Sequence, residues 1–155
     1  MSLESDFKGL MVWCPQLISI LSVHWKDTSL SCTISSLTSV DIDNEGIPYL
    51  GFSIKLGSRL DSILDSSKIM YISILGSGQA HIAEYFAVNR GEGSDNQYFH
   101  HSEDLIVAGS PAGLKCQFDR QVVVKNSRFV VCKVKELFFL NPTAIPLTYQ
   151  NRRFK

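Results

Sequence analysis

The sequence lacks an excess of charge of either sign. Fifteen lysine and arginine residues balance fifteen aspartate and glutamate residues among 155, so the formal net charge at pH 7 is zero. Bulk attraction to nucleic acid or to an anionic membrane surface requires clustered positive charge. We therefore expect neither as a partner, while one local phosphate site remains compatible with the composition.

The cysteines are few and stand alone in the sequence. There is no C-x-x-C pair and no histidine at a ligand spacing beside any of the four, which are Cys14, Cys32, Cys116 and Cys132. A zinc site needs closely spaced cysteine and histidine ligands, so no metal site is predicted. We interpret these residues as free thiols that pack as small apolar groups in a reducing compartment.

Long hydrophobic runs and a targeting segment are also missing. The longest apolar stretches, 17–23 and 129–140, are too short or too interrupted by charge to cross a bilayer. The first six residues are acidic, unlike a signal or transit peptide. We expect a soluble intracellular protein, cytoplasmic or else mitochondrial, with one domain over residues 1–155.

Signatures of nucleophilic or paired-carboxylate catalysis are not found. The sequence has no nucleophile elbow and no specific Ser-His-Asp set. The stretch 76–78 (GSG) lacks the third glycine of a dinucleotide fingerprint and is interpreted as a helix-entry turn. His81 has no obvious partner, and His100 and His101 lie in a polar loop. No catalytic side chain is therefore predicted.

What the sequence does contain is mainly strand patterning. Stretches rich in β-branched and aliphatic residues predict strands at 17–24, 30–34, 48–56, 68–75, 105–107, 114–125, 128–140 and 147–149. Helices are predicted at 5–13, at 59–64 with Ser58 as N-cap, and after residue 79, where Ile82, Ala83, Phe86 and Ala87 share one face. Residues 41–46 and 89–101 are expected to form polar turns or loops. Hairpin connections and a majority of strands are typical of an antiparallel barrel or sandwich.

Two polar clusters have the composition of a phosphate site. One places five hydroxyl groups within residues 33–39, at the end of a predicted strand. The other comprises Lys55, Ser58 and Arg59, at a predicted helix start. Hydroxyl donors, helix N-terminal N–H groups and cations together bind phosphate well. On composition alone, an ordinary turn and a helix cap are the simpler explanation.

The order of these segments resembles the flavin reductase-like family, whose members have the FMN-binding split barrel. Residues 31–40 (SCTISSLTSV) are similar to that family's G-x-T-x-[SN]-S-F-x-S-V pattern. Residues 48–59 (PYLGFSIKLGSR) are similar to its P-x-V-x-F-S-x-K-x-x-S-R pattern. The strand at 68–75, the helix at 79–87 and the ending at 146–154 follow in the expected order, so the resemblance covers nearly the whole chain.

The resemblance implies a mainly β fold with a few short helices. The expected architecture is a six-stranded antiparallel split barrel, forming a homodimer with FMN near the subunit interface. The loop 33–36 would lie along the isoalloxazine edge, and the second cluster would hold the phosphate and ribityl chain. The cofactor-binding residues expected from the resemblance are Thr33, Ile34, Ser35, Ser36, Ser39, Ser53, Lys55, Ser58 and Arg59.

The activity implied by the resemblance is NAD(P)H-dependent flavin reduction, with hydride passing from nicotinamide C4 to flavin N5. The choice between NADH and NADPH and the electron acceptor stay open. The family's frequent G-D-H, whose histidine is associated with nicotinamide binding, falls on residues 125–127 (KNS). Two alternatives therefore remain: an FMN-binding electron-transfer protein without NAD(P)H turnover, and a split-barrel interaction module that has lost flavin.

Overall fold

The computed structural model describes residues 2–88, 96–99 and 103–155. The chain contains many short strands and three helices, as the short apolar stretches of the sequence predict. The helices are α1 (Leu3–Trp13), α2 (Arg59–Ser67) and α3 (Ala80–Val88), with a 3-10 turn at Asn96–Tyr98. The strands are β1 (Gln16–Leu17), β2 (Ser19–Trp25), β3 (Thr28–Ile34), β4 (Thr38–Ile42), β5 (Pro48–Lys55), β6 (Ile69–Ile74), β7 (Ala112–Val124), β8 (Ser127–Phe139), β9 (Thr148–Gln150) and β10 (Arg153–Phe154).

Seven of these strands form one antiparallel sheet in the order β3-β2-β6-β7-β8-β5-β4. The remaining three form a small sheet in the order β1-β9-β10. The prediction of a mainly β fold of the split-barrel type is confirmed. The main sheet has seven strands rather than the six expected, because β4 pairs with β5 over residues that include part of the expected turn at 41–46.

The apolar side chains pack into two clusters on the two faces of the main sheet. Inside the barrel, residues such as Leu21, Phe52 and Met70 meet three side chains of α2, namely Leu60, Ile63 and Leu64. On the outer face, Ile20 and Tyr71 pack against α3, which buries Ile82, Ala83 and Phe86. Because both faces of β2 are covered, residues 19–23 are buried without alternation.

The predicted helices are all present, with adjusted ends. Ala87 is half-buried rather than buried, so it lies at the margin of the predicted apolar face of α3. The second helix continues to Ser67 instead of ending at residue 64. The first begins at Leu3, capped by the Ser2 hydroxyl, and buries none of its side chains. Within the described residues, no helix is both long enough and apolar enough to cross a membrane.

Two strand predictions are wrong in detail. The single strand expected at 17–24 is divided into β1 and β2 at Ile18, whose backbone instead bonds with Leu147 and Leu75. Residues 105–107 form no strand and make only an isolated bridge from Val107 to Phe99. Their apolar sequence is explained by burial, since all three side chains pack in the outer cluster. The short strand β10 is not among the predicted strands. Most of the expected loop at 89–101, including His100 and His101, lies outside the described residues.

Candidate functional site

A cavity of about 320 Å³ lies where β3 and β5 end and α2 begins. This volume is at the lower end of the range typical of small-molecule sites. Its walls combine hydroxyl groups, one cation and a few apolar side chains. The lining residues are Cys32, Thr33, Ile34, Ser35, Ser36, Ser53, Ile54, Lys55, Ser58, Leu60 and Ser127.

The cavity brings together most of the residues that the sequence predicted to bind a cofactor. Both polar clusters contribute, the first through 33–36 and the second through Lys55 and Ser58, and the predicted residue Ser53 lies with them. Two predicted residues do not line it. Ser39 lies exposed on β4, since that strand carries the chain away from the cavity, and Arg59 lies exposed at the first position of α2.

A pair of hydrogen bonds joins the two segments that form the mouth of the cavity. The backbone N–H of Ser53 donates to the Ser36 hydroxyl at 2.8 Å, and that hydroxyl donates to the Ser53 carbonyl at 3.2 Å. The loop after β3 is therefore fixed to β5 by a side chain. In contrast, the Thr33 hydroxyl donates to the Ala83 carbonyl of α3 at 2.6 Å, so its proton is already used within the protein.

The first turn of α2 provides backbone donors beside the cavity. Ser58 caps the helix, as predicted, by accepting a hydrogen bond from the Asp61 N–H at 3.0 Å. The first N–H groups of a helix have no acceptor within it. Those of Arg59 and Leu60 also make no hydrogen bond elsewhere in the part of the chain that the structure describes. Such groups, with the positive end of the helix dipole, favour an anion.

No carboxylate within the described residues forms an ion pair with the cations at this site. Lys55 pairs with Ser127 across β5 and β8, and both residues line the cavity. Among the described residues, neither Lys55 nor Arg59 makes an ion pair. Hydroxyls, together with N–H groups and cations that have no partner among the described residues, form a donor set that fits a phosphate ester. The apolar lining, which includes Ile34, fits a ring system.

Sequence reasoning missed four lining residues and one residue behind the cavity. Cys32, Ile54, Leu60 and Ser127 carry no motif of their own and enter through strand pairing or helix packing. Arg128 lies behind the cavity wall, buried in the start of β8. The sequence did contain a signal for its burial. Arg128 alternates with Val130 and Cys132, which are buried on the same face of β8.

No metal centre accompanies this cavity in the described part of the chain. Nowhere within residues 2–88, 96–99 and 103–155 do three or more His, Cys, Asp or Glu side chains gather as metal ligands. The donor set of the cavity consists of hydroxyl groups, N–H groups and a cation. Its chemistry is therefore that of an anion-binding site beside an apolar surface.

The fold and this cavity define a split barrel of the flavin reductase type. The chain belongs to the family described as flavin reductase like domain, whose model matches residues 11–155. The expected family membership is therefore confirmed over almost the whole chain. A comparison with curated protein sequences gives no match.

Solved structures of flavin reductases share the fold over nearly their full length. The NADH:FAD oxidoreductase SgcE6 of Streptomyces globisporus C-1027 has a TM-score of 0.83 and 18% identity, covering 99% of this chain and 92% of its own. The styrene monooxygenase flavin reductase of Pseudomonas putida S12 has a TM-score of 0.83 and 22% identity, covering 97% and 95%. The flavin reductase HpaC, solved with NADP+, has a TM-score of 0.83 and 17% identity, covering 99% and 97%.

Proposed function

We propose that this chain is an NAD(P)H-dependent flavin reductase that binds FMN in the cavity between β3, β5, α2 and β8. One observation carries the proposal: two hydroxyl-bearing segments, distant in sequence, meet at the N-terminus of α2 in a chain of the flavin reductase-like family. An intracellular location accords with this activity and with four cysteines that form no disulfide.

The phosphate and ribityl chain would be held at the α2 end of the cavity. Ser53, Lys55 and Ser58 line this end, and the N–H groups of Arg59 and Leu60 add unpaired donors. Arg59 adds a second positive charge beside the cavity. The donors gathered at this end suit the terminal phosphate of FMN, which we take as the occupant.

The isoalloxazine ring would lie along the segment 33–36. Ile34 offers an apolar surface, and the backbone N–H groups of Ser35 and Ser36 donate to no carbonyl within the described residues. These groups are placed to orient the polar edge of the ring. When bound, the flavin supplies hydride acceptance from nicotinamide, while the protein supplies binding, orientation and electrostatic stabilisation. Lys55 supplies the positive potential that favours added negative charge.

We further propose that a second copy of the chain covers the side of the cavity next to the β7–β8 hairpin. Three consecutive valines, Val122, Val123 and Val124, are more than half exposed there, and Ser127 of the same hairpin lines the cavity. Contiguous exposed apolar side chains are typical of interaction surfaces. Light scattering at micromolar concentration should give twice the 17.3 kDa chain mass, and a monomer would contradict a dimeric site.

The activity is tested by anaerobic mixing of the FMN-loaded protein with NADH and with NADPH. We expect loss of the flavin absorption band with at least one nucleotide. The double variant Ser58→Ala/Arg59→Ala should retain less FMN, and Ser66→Ala, on the same helix, serves as its matched control. A chain that takes up no flavin contradicts the proposal as a whole.

A second candidate is an FMN-binding electron carrier without NAD(P)H turnover. The observation in its favour is Ser127, which lines the cavity where the resemblance to the family would place the histidine of G-D-H. A serine has no imidazole to contact the nicotinamide. Bound FMN that keeps its absorption band with both nucleotides would establish this candidate and exclude the reductase.

A further inference from the structure

Arg128 carries a positive charge that is almost fully removed from solvent. The residue is 3% exposed at the start of β8, on the strand face that points into the barrel. Nη2 donates to the Asp61 carbonyl at 2.7 Å, and Nη1 donates to Asp65 Oδ1 at 2.7 Å and also to Gln121 Oε1. Nε lies 2.6 Å from Asp61 Oδ1, as an ion pair without hydrogen-bond alignment. The guanidinium thus makes two of its contacts to the single residue Asp61.

Asp61 connects this buried cation to the turn between β5 and α2. Its Oδ2 accepts a hydrogen bond from the Gly57 N–H at 3.0 Å, and its own N–H donates to the Ser58 hydroxyl at 3.0 Å. Gly57 has a φ of +87°, a conformation that glycine adopts without steric cost. The side chain and backbone of Asp61 therefore fix the two residues that precede the first turn of α2.

The same strand that carries Arg128 also borders the cavity. Ser127 lines the cavity opposite Lys55, and the Asn126 carbonyl accepts a hydrogen bond from the Leu56 N–H at 3.0 Å. The turn at 56–58 is thus held at two points, by the backbone of Asn126 just before β8 and by the side chain of Arg128 within it. A guanidinium with two planar contacts fixes its partner more closely than a flexible ammonium does.

We propose that Arg128, acting through Asp61, is a positioning residue for the phosphate group of the cofactor. It holds the turn so that the Ser58 hydroxyl and the first N–H groups of α2 face the same place, where the phosphate would bind. The inference rests on the proposed function, since it takes FMN as the occupant. Arg128 itself does not line the cavity, and its effect therefore passes through the turn to the phosphate and does not reach the ring.

The comparison of FMN with riboflavin, which lacks the phosphate, isolates this effect. Dissociation constants for both are measured by flavin fluorescence in the full chain and in Arg128→Lys, which keeps the charge but loses the planar fork. We expect FMN to bind roughly 10- to 100-fold more weakly, as for the loss of a charge-assisted hydrogen bond. Riboflavin binding should change by less than about twofold.

Asp65→Asn provides the matched control. Asp65 contacts the same guanidinium but makes no hydrogen bond to the turn at 56–58, and its side chain is 57% exposed. The ratio of the FMN and riboflavin dissociation constants should stay at the wild-type value in this variant. A ratio that changes as much as in Arg128→Lys would overturn the proposal.

Equal weakening of FMN and riboflavin in Arg128→Lys, or no weakening of either, would also overturn it. If that variant does not fold, Asp61→Asn gives the same comparison, because it keeps an oxygen for the Gly57 N–H and loses the charge that holds Arg128. If neither variant folds, the Arg128–Asp61 pair is required for folding, and the proposed role in positioning the phosphate is overturned. A wild-type chain that binds neither flavin would instead contradict the proposed function itself.

Discussion

Ser36 and Ser53 are joined twice, with the Ser36 hydroxyl accepting from the Ser53 N–H and donating to the Ser53 carbonyl. The Ser36 hydroxyl thus takes the place of a neighbouring strand, since it satisfies both the N–H and the carbonyl of Ser53. Ser36→Ala leaves the Ser53 N–H without this partner. We expect the free energy of unfolding, measured by urea denaturation without flavin, to fall by about 1 kcal/mol.

Ser35→Ala is the control for this prediction. Ser35 also lines the cavity, but its hydroxyl makes no hydrogen bond within the described residues. Its removal should leave the free energy of unfolding unchanged to within about 0.5 kcal/mol. Equal losses in the two variants would show that the Ser36–Ser53 link adds nothing to stability.

Ser58→Asp should separate the cap of α2 from the binding of phosphate. Aspartate caps a helix as well as serine does and suits the helix dipole, so the free energy of unfolding should be retained. The added carboxylate repels the phosphate, and FMN should bind at least about tenfold more weakly, while riboflavin, which has the ribityl chain but no phosphate, should lose less affinity. Both affinities are measured by fluorescence titration.

Ser2→Asp is the matched variant for that test. Ser2 caps α1 in the same way, by accepting a hydrogen bond from the Ser5 N–H. Ser2 does not line the cavity, and Ser2→Asp should change neither stability nor FMN affinity. A similar loss of FMN affinity in both variants would mean that net charge, and not the position of Ser58, decides binding.

The cysteines should report occupancy of the cavity. Cys32 lines it, and Cys14 is half-buried elsewhere, whereas Cys116 and Cys132 are fully buried. Contact with the Cys132 thiol, together with burial, raises the pKa of Cys116 far above its usual value, so little thiolate forms. Mass spectrometry after brief alkylation should therefore find label on Cys32 and Cys14 only, and FMN should protect Cys32. Equal protection of Cys14 would contradict a cavity-specific effect.

Most strands and the cap of α2 are predicted correctly because both depend on residues that are close in the sequence. Ser58 caps α2 because a serine hydroxyl before a helix accepts from an N–H of its first turn. In contrast, β4 was missed because all five of its residues are exposed and leave no alternation of burial. Ser39 was included in the site through the resemblance to the family pattern; it lies exposed on β4, paired with Leu50 of β5, and does not line the cavity.

Contacts between distant residues could not be predicted from pattern alone. Arg128 and Asp61 are far apart in the sequence. The alternation of β8 indicates that Arg128 is buried, but no local pattern identifies Asp61 as its partner. Their pairing depends on α2 packing its apolar side chains into the barrel cluster, which brings Asp61 to Arg128. Thr33 shows the same limit, because its hydroxyl donates to α3, a helix whose position the sequence does not give.

Tyr71 should make the stability of the fold fall at alkaline pH. Burial, and then the charge of Asp104, raise the pKa of Tyr71 from 10.0 to about 12. The folded chain thus keeps a proton that the unfolded chain releases, and stability that is complete below pH 10 is lost as the pH rises to about 12. In Tyr71→Phe, the free energy of unfolding by urea should fall less between about pH 9 and pH 11 than in the wild type. Asp104→Asn should give an intermediate slope, since burial of the phenol remains. Identical slopes in wild type and Tyr71→Phe would show that other groups cause the alkaline loss.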